Sequence, residues 1–226
     1  MPNVIPLMER RTTTDLVFDH LYREIVSLTR LPGTKLSEAD IARHFGVSRQ
    51  PVRDAFNRLG NLDLLLIRPQ RATEVRGFSM RQIARARFVR LAVELEVITH
   101  ACALWNRDHT AALEQNLQQQ QQAIRAGKTE TFHTLDYGFH RLICDLGGCS
   151  DAFETIEQCK QKLDRLCALS LGKDREVETL YKDHCDLTRA LDHREDEAAR
   201  ATIRRHLGRL DSTIADIQET HAEYFE

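Results

Sequence analysis

The amino-acid sequence predicts a mostly α-helical fold, an N-terminal winged helix-turn-helix followed by an all-α antiparallel bundle of about six helices. Two observations carry this prediction. Apolar residues recur at helical spacing through most of the 226-residue chain, and a pair of short β-prone runs lies within residues 64–77. We therefore expect an N-terminal tail over residues 1–11, a first domain over 12–78 and a helical second domain over 79–226.

The composition predicts a folded protein that crosses no membrane. The chain is 42% hydrophobic and 29% charged, which is enough apolar material for a core. It begins without a secretory signal pattern, and no uninterrupted apolar stretch approaches ~18 residues. The six cysteines form no C-x-x-C pair and are expected to be reduced thiols. We expect a cytoplasmic protein.

Charge is distributed unevenly along the chain. Residues 1–78 contain 12 Lys and Arg against 9 Asp and Glu, whereas residues 79–226 contain 20 against 25. A basic first domain suits contact with nucleic acid, although ordinary solvated surfaces also carry such charge.

Three helices are predicted in the first domain. Helical spacing covers residues 12–30, and proline and glycine follow at once in the sequence LPGT. A short helix begins at Ser37 and ends near Gly46, and a third over residues 48–61 begins at Ser48, with Pro51 in its first turn. A hairpin formed from residues 64–69 and 72–77 completes the winged helix-turn-helix.

The third helix of this domain is the expected DNA-reading element. In winged helix-turn-helix units the N-terminal half of this helix enters the major groove. Arg49, Gln50 and Arg53 occupy that half, and arginine pairs with guanine as glutamine does with adenine. Ser37 and Ser48 lie at helix starts, which suit phosphates. The alternative is a generic three-helix bundle with solvated arginines.

The second domain is predicted to be helical throughout. Its helices are expected at residues 79–105, 110–127, 129–146, about 150–171, 175–193 and 196–221. The glutamine-rich stretch within the second of these keeps an apolar stripe at helical spacing. That stripe favours a helix coated by glutamines over a disordered tract. Short connections between the helices predict an antiparallel bundle.

Four side chains of the second domain predict metal chemistry. Asp136 and His140 lie one helical turn apart on one face. His184 and His206 lie 11 residues before and after the turn near Glu195, so an antiparallel helix pair would hold them at matching depth. Three imidazoles and one carboxylate suit Zn²⁺, Ni²⁺, Mn²⁺ or Fe²⁺. Taken singly, each histidine is more often an ordinary surface or core residue.

The first domain resembles the DNA-binding domain of GntR-family bacterial transcription regulators. The segment PGTKLSEADIARHFGVSRQPVRDAFNRL carries that family's L-S-E and G-V-S-R-x-P-V-R motifs, and the resemblance extends over residues 14–76. It implies that Arg71 in the wing also contacts DNA. The chain departs from the family at Ala72, where members usually have glycine at the wing tip.

The second domain resembles the FCD effector-binding domain of the FadR-like GntR subgroup. The segments DYGFH, HCDLTRAL and RRHL match the pattern of its metal-binding members. This resemblance implies the metal ligands Asp136, His140, His184 and His206. It also implies that Arg90 binds a carboxylate effector, with a surface ion pair to Glu94 as the alternative. His133 and Cys144 lie near the same motif and are expected to be packing residues.

Together the two resemblances imply a metabolite-responsive transcription regulator. We expect a repressor that binds a pseudo-palindromic, double-stranded DNA operator as a homodimer and is released by a small sugar or hydroxy acid. The acid would bind at a site holding zinc, nickel or manganese, with zinc expected in the isolated protein. Two alternatives remain, a regulator for which the ion itself is the signal and a metal-dependent enzyme.

Overall fold

The computed structural model describes residues 11–163, 165–166 and 174–226, and it confirms the predicted fold class. The chain divides between Phe78 and Ser79 into two compact units, here called the N-terminal unit and the C-terminal unit. Nearly all of the predicted tail lies outside the described residues. None of the described helices combines the length and the apolar character that crossing a bilayer requires.

The N-terminal unit consists of three helices and a small antiparallel sheet. The helices are α1 Thr13–Val26, α2 Glu38–Phe45 and α3 Arg49–Asn61. The strands are β1 Lys35–Leu36, β2 Leu65–Leu66 and β3 Thr73–Val75. Strand β3 lies between the other two and pairs with both, so the predicted hairpin of β2 and β3 carries β1 as a third strand.

Local side-chain chemistry fixes the ends of these helices. Thr12 and Asp15 form a capping box at the start of α1, in which each side chain accepts a backbone N–H of the other residue. The Ser37 hydroxyl accepts the Asp40 N–H at the start of α2. Gly46 ends α2 at a φ of +65°, in the left-handed region that glycine adopts without strain.

A single apolar core holds the N-terminal unit together. Helix α1 packs against α3, and α3 also contacts α2 and β2. The core side chains come from all three helices and from the sheet, and those almost fully buried include Val17, Leu21, Ile25, Val52, Phe56 and Leu59. Because α3 buries this face, its opposite face is left at the surface of the unit.

The C-terminal unit is a bundle of helices. In chain order they are α4 Met80–Leu104, α5 Arg107–Arg125, α6 Thr129–Leu146, α7 Ala152–Gln161, α8 Asp174–Asp192, α9 Asp196–Gly208, α10 Leu210–Thr220 and a short 3-10 turn, Ala222–Tyr224. Helix α5 packs against α6 and α8, α4 packs against α7 and α9, and α8 packs against α9. The core between them contains the fully buried Trp105, Leu113 and Phe139.

Two predicted helices differ from those of the structure. The helix predicted over 196–221 is divided at Arg209, directly after Gly208, into α9 and α10. Glycine in a helix interior costs ~1 kcal/mol relative to alanine, which makes this the weakest point of that segment. Of the helix predicted over about 150–171, the structure describes α7 and two further helical residues at 165–166, and residues 164 and 167–171 of that prediction lie outside the described residues.

Candidate metal centre and nucleic-acid interface

The structure brings the four predicted metal ligands together inside the C-terminal unit. Helix α6 supplies Asp136 and His140, α8 supplies His184 and α9 supplies His206. One potential ligand atom from each side chain lies within 4.8 Å of the corresponding atoms of the other three. All four residues are buried, and His184 is completely inaccessible to solvent. We call these four residues the metal centre.

The hairpin of α8 and α9 places two of these histidines at the same depth. The chain reverses direction at residues 193–195, where Arg194 takes a φ of +54°. Since His184 and His206 lie 11 residues on either side of Glu195, the antiparallel helices carry them to the same level. Their ring centroids are 4.7 Å apart, and that of His140 lies 5.7 Å from His184 and 5.3 Å from His206.

Each of the three histidines directs its Nδ1 atom toward an acceptor outside the cluster. His140 Nδ1 lies 2.7 Å from a carboxylate oxygen of Glu94, and His184 Nδ1 donates to the Gln120 amide oxygen over 2.9 Å. His206 Nδ1 faces Asp183 at the longer distance of 3.7 Å. The two short contacts orient the rings of His140 and His184 and select the tautomer with a lone pair on Nε2, whereas His206 Nδ1 makes no hydrogen bond within the described residues. Sequence reasoning did not identify Gln120 or Asp183, and it placed Glu94 only as a surface partner of Arg90.

The tautomer of His184 follows from a chain of amides that ends at a backbone carbonyl. The Leu135 carbonyl can only accept, and it accepts the Asn116 side-chain N–H over 3.1 Å. The Asn116 oxygen then accepts from the Gln120 amide nitrogen over 2.6 Å, so the Gln120 oxygen faces His184 Nδ1. The proton of His184 therefore lies on Nδ1, and Nε2 carries a lone pair.

His184 Nε2 is the atom that best fits a bound cation. It is buried and has no hydrogen-bond partner within the described part of the chain. Asp136 Oδ1 lies 3.4 Å away, without the geometry of a hydrogen bond. An imidazole lone pair facing a carboxylate in a dry interior is costly unless a cation lies between them. The donor set of three imidazoles and one carboxylate fits a divalent metal ion.

The pKa values of the centre favour the protonation states that metal ligands need. Burial lowers the pKa of His184 to about 4, and burial also lowers the pKa of His206, so both rings are neutral near pH 7. Burial alone would raise the pKa of Asp136. The Lys160 ammonium outweighs burial and holds the pKa of Asp136 well below its ordinary value. His184 and His206 are thus neutral imidazoles beside an ionised Asp136, the forms in which these groups bind a metal ion.

Glu94 and Asp183, the carboxylates that face His140 and His206, are also ionised because basic side chains contact them. Burial opposes the ionisation of Glu94, but the contact with His140 Nδ1 and the Arg90 guanidinium prevail and lower the pKa of that carboxyl. Burial likewise opposes ionisation of Asp183, but hydrogen bonds from Arg209 and Arg205 prevail and lower the pKa of that carboxyl. Each buried carboxylate around the centre therefore has a basic partner.

Arg90 lies at the metal centre and not on the surface. Its Nε donates to Glu94 over 2.6 Å, and its Nη2 lies 3.4 Å from His140 Nε2. Arg90 therefore forms the ion pair with Glu94 that was the alternative prediction, but the pair is buried and does not lie on the surface. Arg90 sits where it could contact an anion bound beside His140.

A cavity of about 480 Å³ opens beside the metal centre. Asp136 and His206 line it together with Arg90, and His133 also contributes to the wall. Lys160 is a further wall residue that sequence reasoning missed, and its ammonium lies 3.2 Å from Asp136 Oδ2. A volume in the range of typical ligand sites is adequate for a small organic acid. Cys144, in contrast, is buried in the apolar core.

The predicted DNA-contacting residues lie at the surface of the N-terminal unit. Ser37, Ser48, Arg49, Gln50 and Arg53 are all exposed. The Ser37 hydroxyl is engaged in capping α2, whereas Ser48 precedes α3 without a side-chain cap. Ser48 and Arg49 therefore present polar groups at the N-terminus of α3, where backbone N–H groups favour phosphate.

Two of the side chains on α3 are held by neighbouring acids. Arg53 donates to both carboxylate oxygens of Glu38, over 3.3 and 3.0 Å, and Gln50 donates to Asp54 over 2.9 Å. Arg49 makes no hydrogen bond or ion pair within the described residues. On binding DNA, Arg53 and Gln50 would have to leave an acidic partner to reach a base edge. Arg49 would not have to break any such contact.

The wing turns without a glycine. Gln70 adopts a φ of +59° at the tip between β2 and β3, so the left-handed position falls two residues before Ala72. Ala72 lies at an ordinary φ, and its side chain is compatible with the turn. Arg71 is exposed beside the tip.

Comparison with family sequence models covers both units. Residues 13–75 match the model described as "Bacterial regulatory proteins, gntR family", and residues 86–209 match the one described as "FCD domain".

Individual proteins also resemble the chain over most of its length. It is 35% identical over 209 residues to the HTH-type transcriptional repressor RspR of Escherichia coli K12, a match that covers 92% of each chain. It is 28% identical over 219 residues to an uncharacterised HTH-type transcriptional regulator of Streptomyces ambofaciens, over 95% of this chain and 90% of that one. Among solved structures, E. coli McbR/YncC has the same fold with a TM-score of 0.70 at 22% identity, over 93% and 99% of the two chains.

Proposed function

The chain belongs to the GntR family of bacterial transcription regulators and carries an FCD domain, and we propose that it is a repressor released from its operator by a small organic acid. The family places it among transcription regulators and not among enzymes. GntR regulators bind DNA operators and typically dimerise, and the relative RspR is named a repressor.

The DNA-reading residues that we propose are Ser48, Arg49, Gln50 and Arg53, with Ser37 at the phosphate backbone and Arg71 in the wing. They are exposed, and they have the residue types that contact base edges and phosphates. One winged unit can read only a half-site. A homodimer with two-fold symmetry would read two inverted half-sites, which is why we expect a pseudo-palindromic operator.

We propose that Asp136, His140, His184 and His206 hold a divalent metal ion. FCD domains can bind metals, and the structure has the required cluster of histidine and aspartate. The observation that carries the proposal is the buried Nε2 of His184, which faces Asp136 without a hydrogen bond. Zinc is the ion that we expect in the isolated protein, and nickel and manganese also suit this donor set.

The effector that we propose is a sugar acid or hydroxy acid in the cavity beside the metal centre. When bound, the ion would supply positive charge and open coordination positions for a carboxylate. Arg90 would hold the same carboxylate through a charge-assisted hydrogen bond. Binding of the acid would favour a conformation of the dimer with lower affinity for DNA, since a ligand shifts an equilibrium toward the state that binds it better.

An operator-release experiment tests this proposal. Purified protein is bound to labelled DNA from upstream of its own gene, and binding is followed by fluorescence anisotropy at fixed salt. We expect at least one sugar or hydroxy acid to release the DNA from zinc-loaded protein but not from chelator-treated protein. If none of a panel of such acids releases the DNA, control by a metabolite is wrong, although DNA binding would stand.

A regulator for which the ion itself is the signal is the second candidate. It is favoured by the fact that all four ligands come from the chain and are buried, so that an ion could bind without an acid. Titrating the metal-free protein with zinc in the absence of organic acids separates the two functions. A change in operator affinity over that titration would favour the ion as the signal.

A further inference from the structure

The cavity beside the metal centre is lined by more basic than acidic side chains. Five basic residues and two acidic ones belong to its described walls. Four of the basic residues contact carboxylates, in the pairs Arg90–Glu94, Lys160–Asp136, Arg87–Asp211 and Arg209–Asp183. Within each pair the two charges offset one another, so these eight groups contribute no net charge.

Arg204 is the fifth basic residue of the cavity wall. It lies on α9, two residues before His206, and its side chain is exposed. Arg204 makes no hydrogen bond or ion pair with any described residue. Its charge is therefore a surplus in the cavity, available to a ligand at no cost to an existing contact.

A metal ion at the proposed site would increase this surplus. Imidazole ligands bind metals in their neutral form, so the three histidines add no compensating charge. Asp136 is the one carboxylate among the four ligands, and it already faces Lys160. The charge of a divalent cation would thus add to that of Arg204, and an acid with one carboxylate would offset only part of the sum.

Resting on the proposed function, we propose that the effector is a small dicarboxylate, with one carboxylate between Arg90 and the metal centre and the other at Arg204. Arg204 is exposed whereas His206 is buried, and residues two apart on a helix lie on different faces, so the positive charges of Arg204 and of the metal centre belong to different parts of one cavity. Two separated negative charges match this arrangement. The volume of about 480 Å³ leaves room for the carbon chain between them.

Matched pairs of sugar acids test the number of charges. Glucarate and gluconate have the same six-carbon chain and differ only in one terminal group, as do tartrate and threonate with four carbons. Binding to zinc-loaded, full-length protein is measured by isothermal titration calorimetry, with zinc at the same concentration in both solutions. We expect at least one diacid to bind about threefold more tightly than its matched monoacid, the factor that an ion pair with an exposed arginine supplies.

Two variants test the position of the second charge. Arg204→Gln should abolish this preference, because it removes the positive charge that the second carboxylate would contact. Arg189→Gln removes one positive charge from an exposed site on α8 outside the cavity and should leave the preference unchanged. Sulfate carries two charges on one centre, and it should bind more weakly than the preferred diacid because it cannot reach both regions.

The outcomes separate this inference from the proposed function. Three outcomes would overturn the proposal that the effector is a dicarboxylate. They are equal affinity for diacid and monoacid, a preference for the diacid that is undiminished in Arg204→Gln, and the absence of binding by either diacid. If one of these three outcomes is found and a monoacid still releases the operator, the proposed function stands and only the dicarboxylate inference is wrong. If no acid binds and none releases the operator, both fail.

Discussion

Within the described residues, the side chain of His184 forms a hydrogen bond through only one of its two ring nitrogens. Gln120 holds Nδ1, and burial keeps the ring neutral by lowering its pKa to about 4. The other nitrogen, Nε2, faces Asp136 without a hydrogen bond. A satisfied core histidine would use both nitrogens, so this asymmetry, together with the nearby Asp136, supports the proposed ligand position.

Replacing Gln120 by leucine should weaken metal binding without removing any ligand. The substitution removes the acceptor for Nδ1, so His184 is free to rotate or to adopt the other tautomer. Loss of such a partner lowers metal affinity roughly 10–100-fold, which competition with a chromophoric chelator measures. The control is Gln119→Leu, an exposed neighbour on the same helix. Equal zinc affinity of the Gln120 variant and the unmodified protein would contradict the assigned role.

Asp15 makes a pH-dependent contribution to the stability of the N-terminal unit. The capping contact with Thr12 and a 2.7 Å hydrogen bond from Arg58 lower its pKa from 3.8 to about 2. Because the lowered pKa means that the folded state favours the carboxylate, the stabilisation is present above pH 3.8 and is lost as the pH falls toward 2. Asp15→Asn should therefore lower the Tm at neutral pH, and the difference from the unmodified protein should shrink over that window. Asp19→Asn, which removes an exposed charge from the same helix, should not show this convergence.

At the scale of whole elements, periodicity predicted most helices, but not the contacts between them. The α8–α9 hairpin could be predicted because the positions of His184 and His206 depend only on their distances from one turn. The role of Gln120 could not be predicted, because this residue lies in a run of five glutamines, Gln118–Gln122, and only the packing of the helices shows which of them is buried. Strand β1 spans two residues and exists through its pairing with β3, which leaves no periodic pattern to detect. The split at Arg209 was missed because the apolar pattern continues across Gly208.

Helix α3 should lose DNA affinity when Arg49 is replaced by alanine. Arg49 is exposed at the first turn of the helix and makes no ion pair with any described residue, so its full charge is available to DNA. We expect a loss of about 1–3 kcal/mol in operator binding if it contacts a base, with metal content unchanged. Anisotropy titrations at several salt concentrations distinguish a base contact from a phosphate contact. If the variant has lost a phosphate contact, its affinity should depend less on salt than that of the unmodified protein. Arg107→Ala, which removes an arginine from the start of α5, serves as the charge control.

At the scale of the whole molecule, the proposed DNA-reading residues and the proposed sensing site belong to different parts of the chain. The residues proposed to read DNA all lie before Phe78, and the metal centre and its cavity lie after Ser79. Each unit has its own apolar core, so damage to one centre need not unfold the other unit. The two activities should therefore be separable by mutation.

His184→Ala is the substitution that should separate them most clearly. It removes a buried ligand from the C-terminal unit and leaves all six proposed DNA contacts in place, so the variant should lose zinc by elemental analysis while still retarding operator DNA. Because an anionic effector needs the ion as well as Arg90, the acid that releases the unmodified protein should no longer do so. His193→Ala, an exposed histidine just beyond the same helix, should behave as the unmodified protein. Circular dichroism excludes gross unfolding, and His206→Ala provides an independent second variant. Full zinc content in both variants would show that these histidines are not ligands. If a variant remains helical but no longer binds the operator, the ion is needed for DNA binding itself.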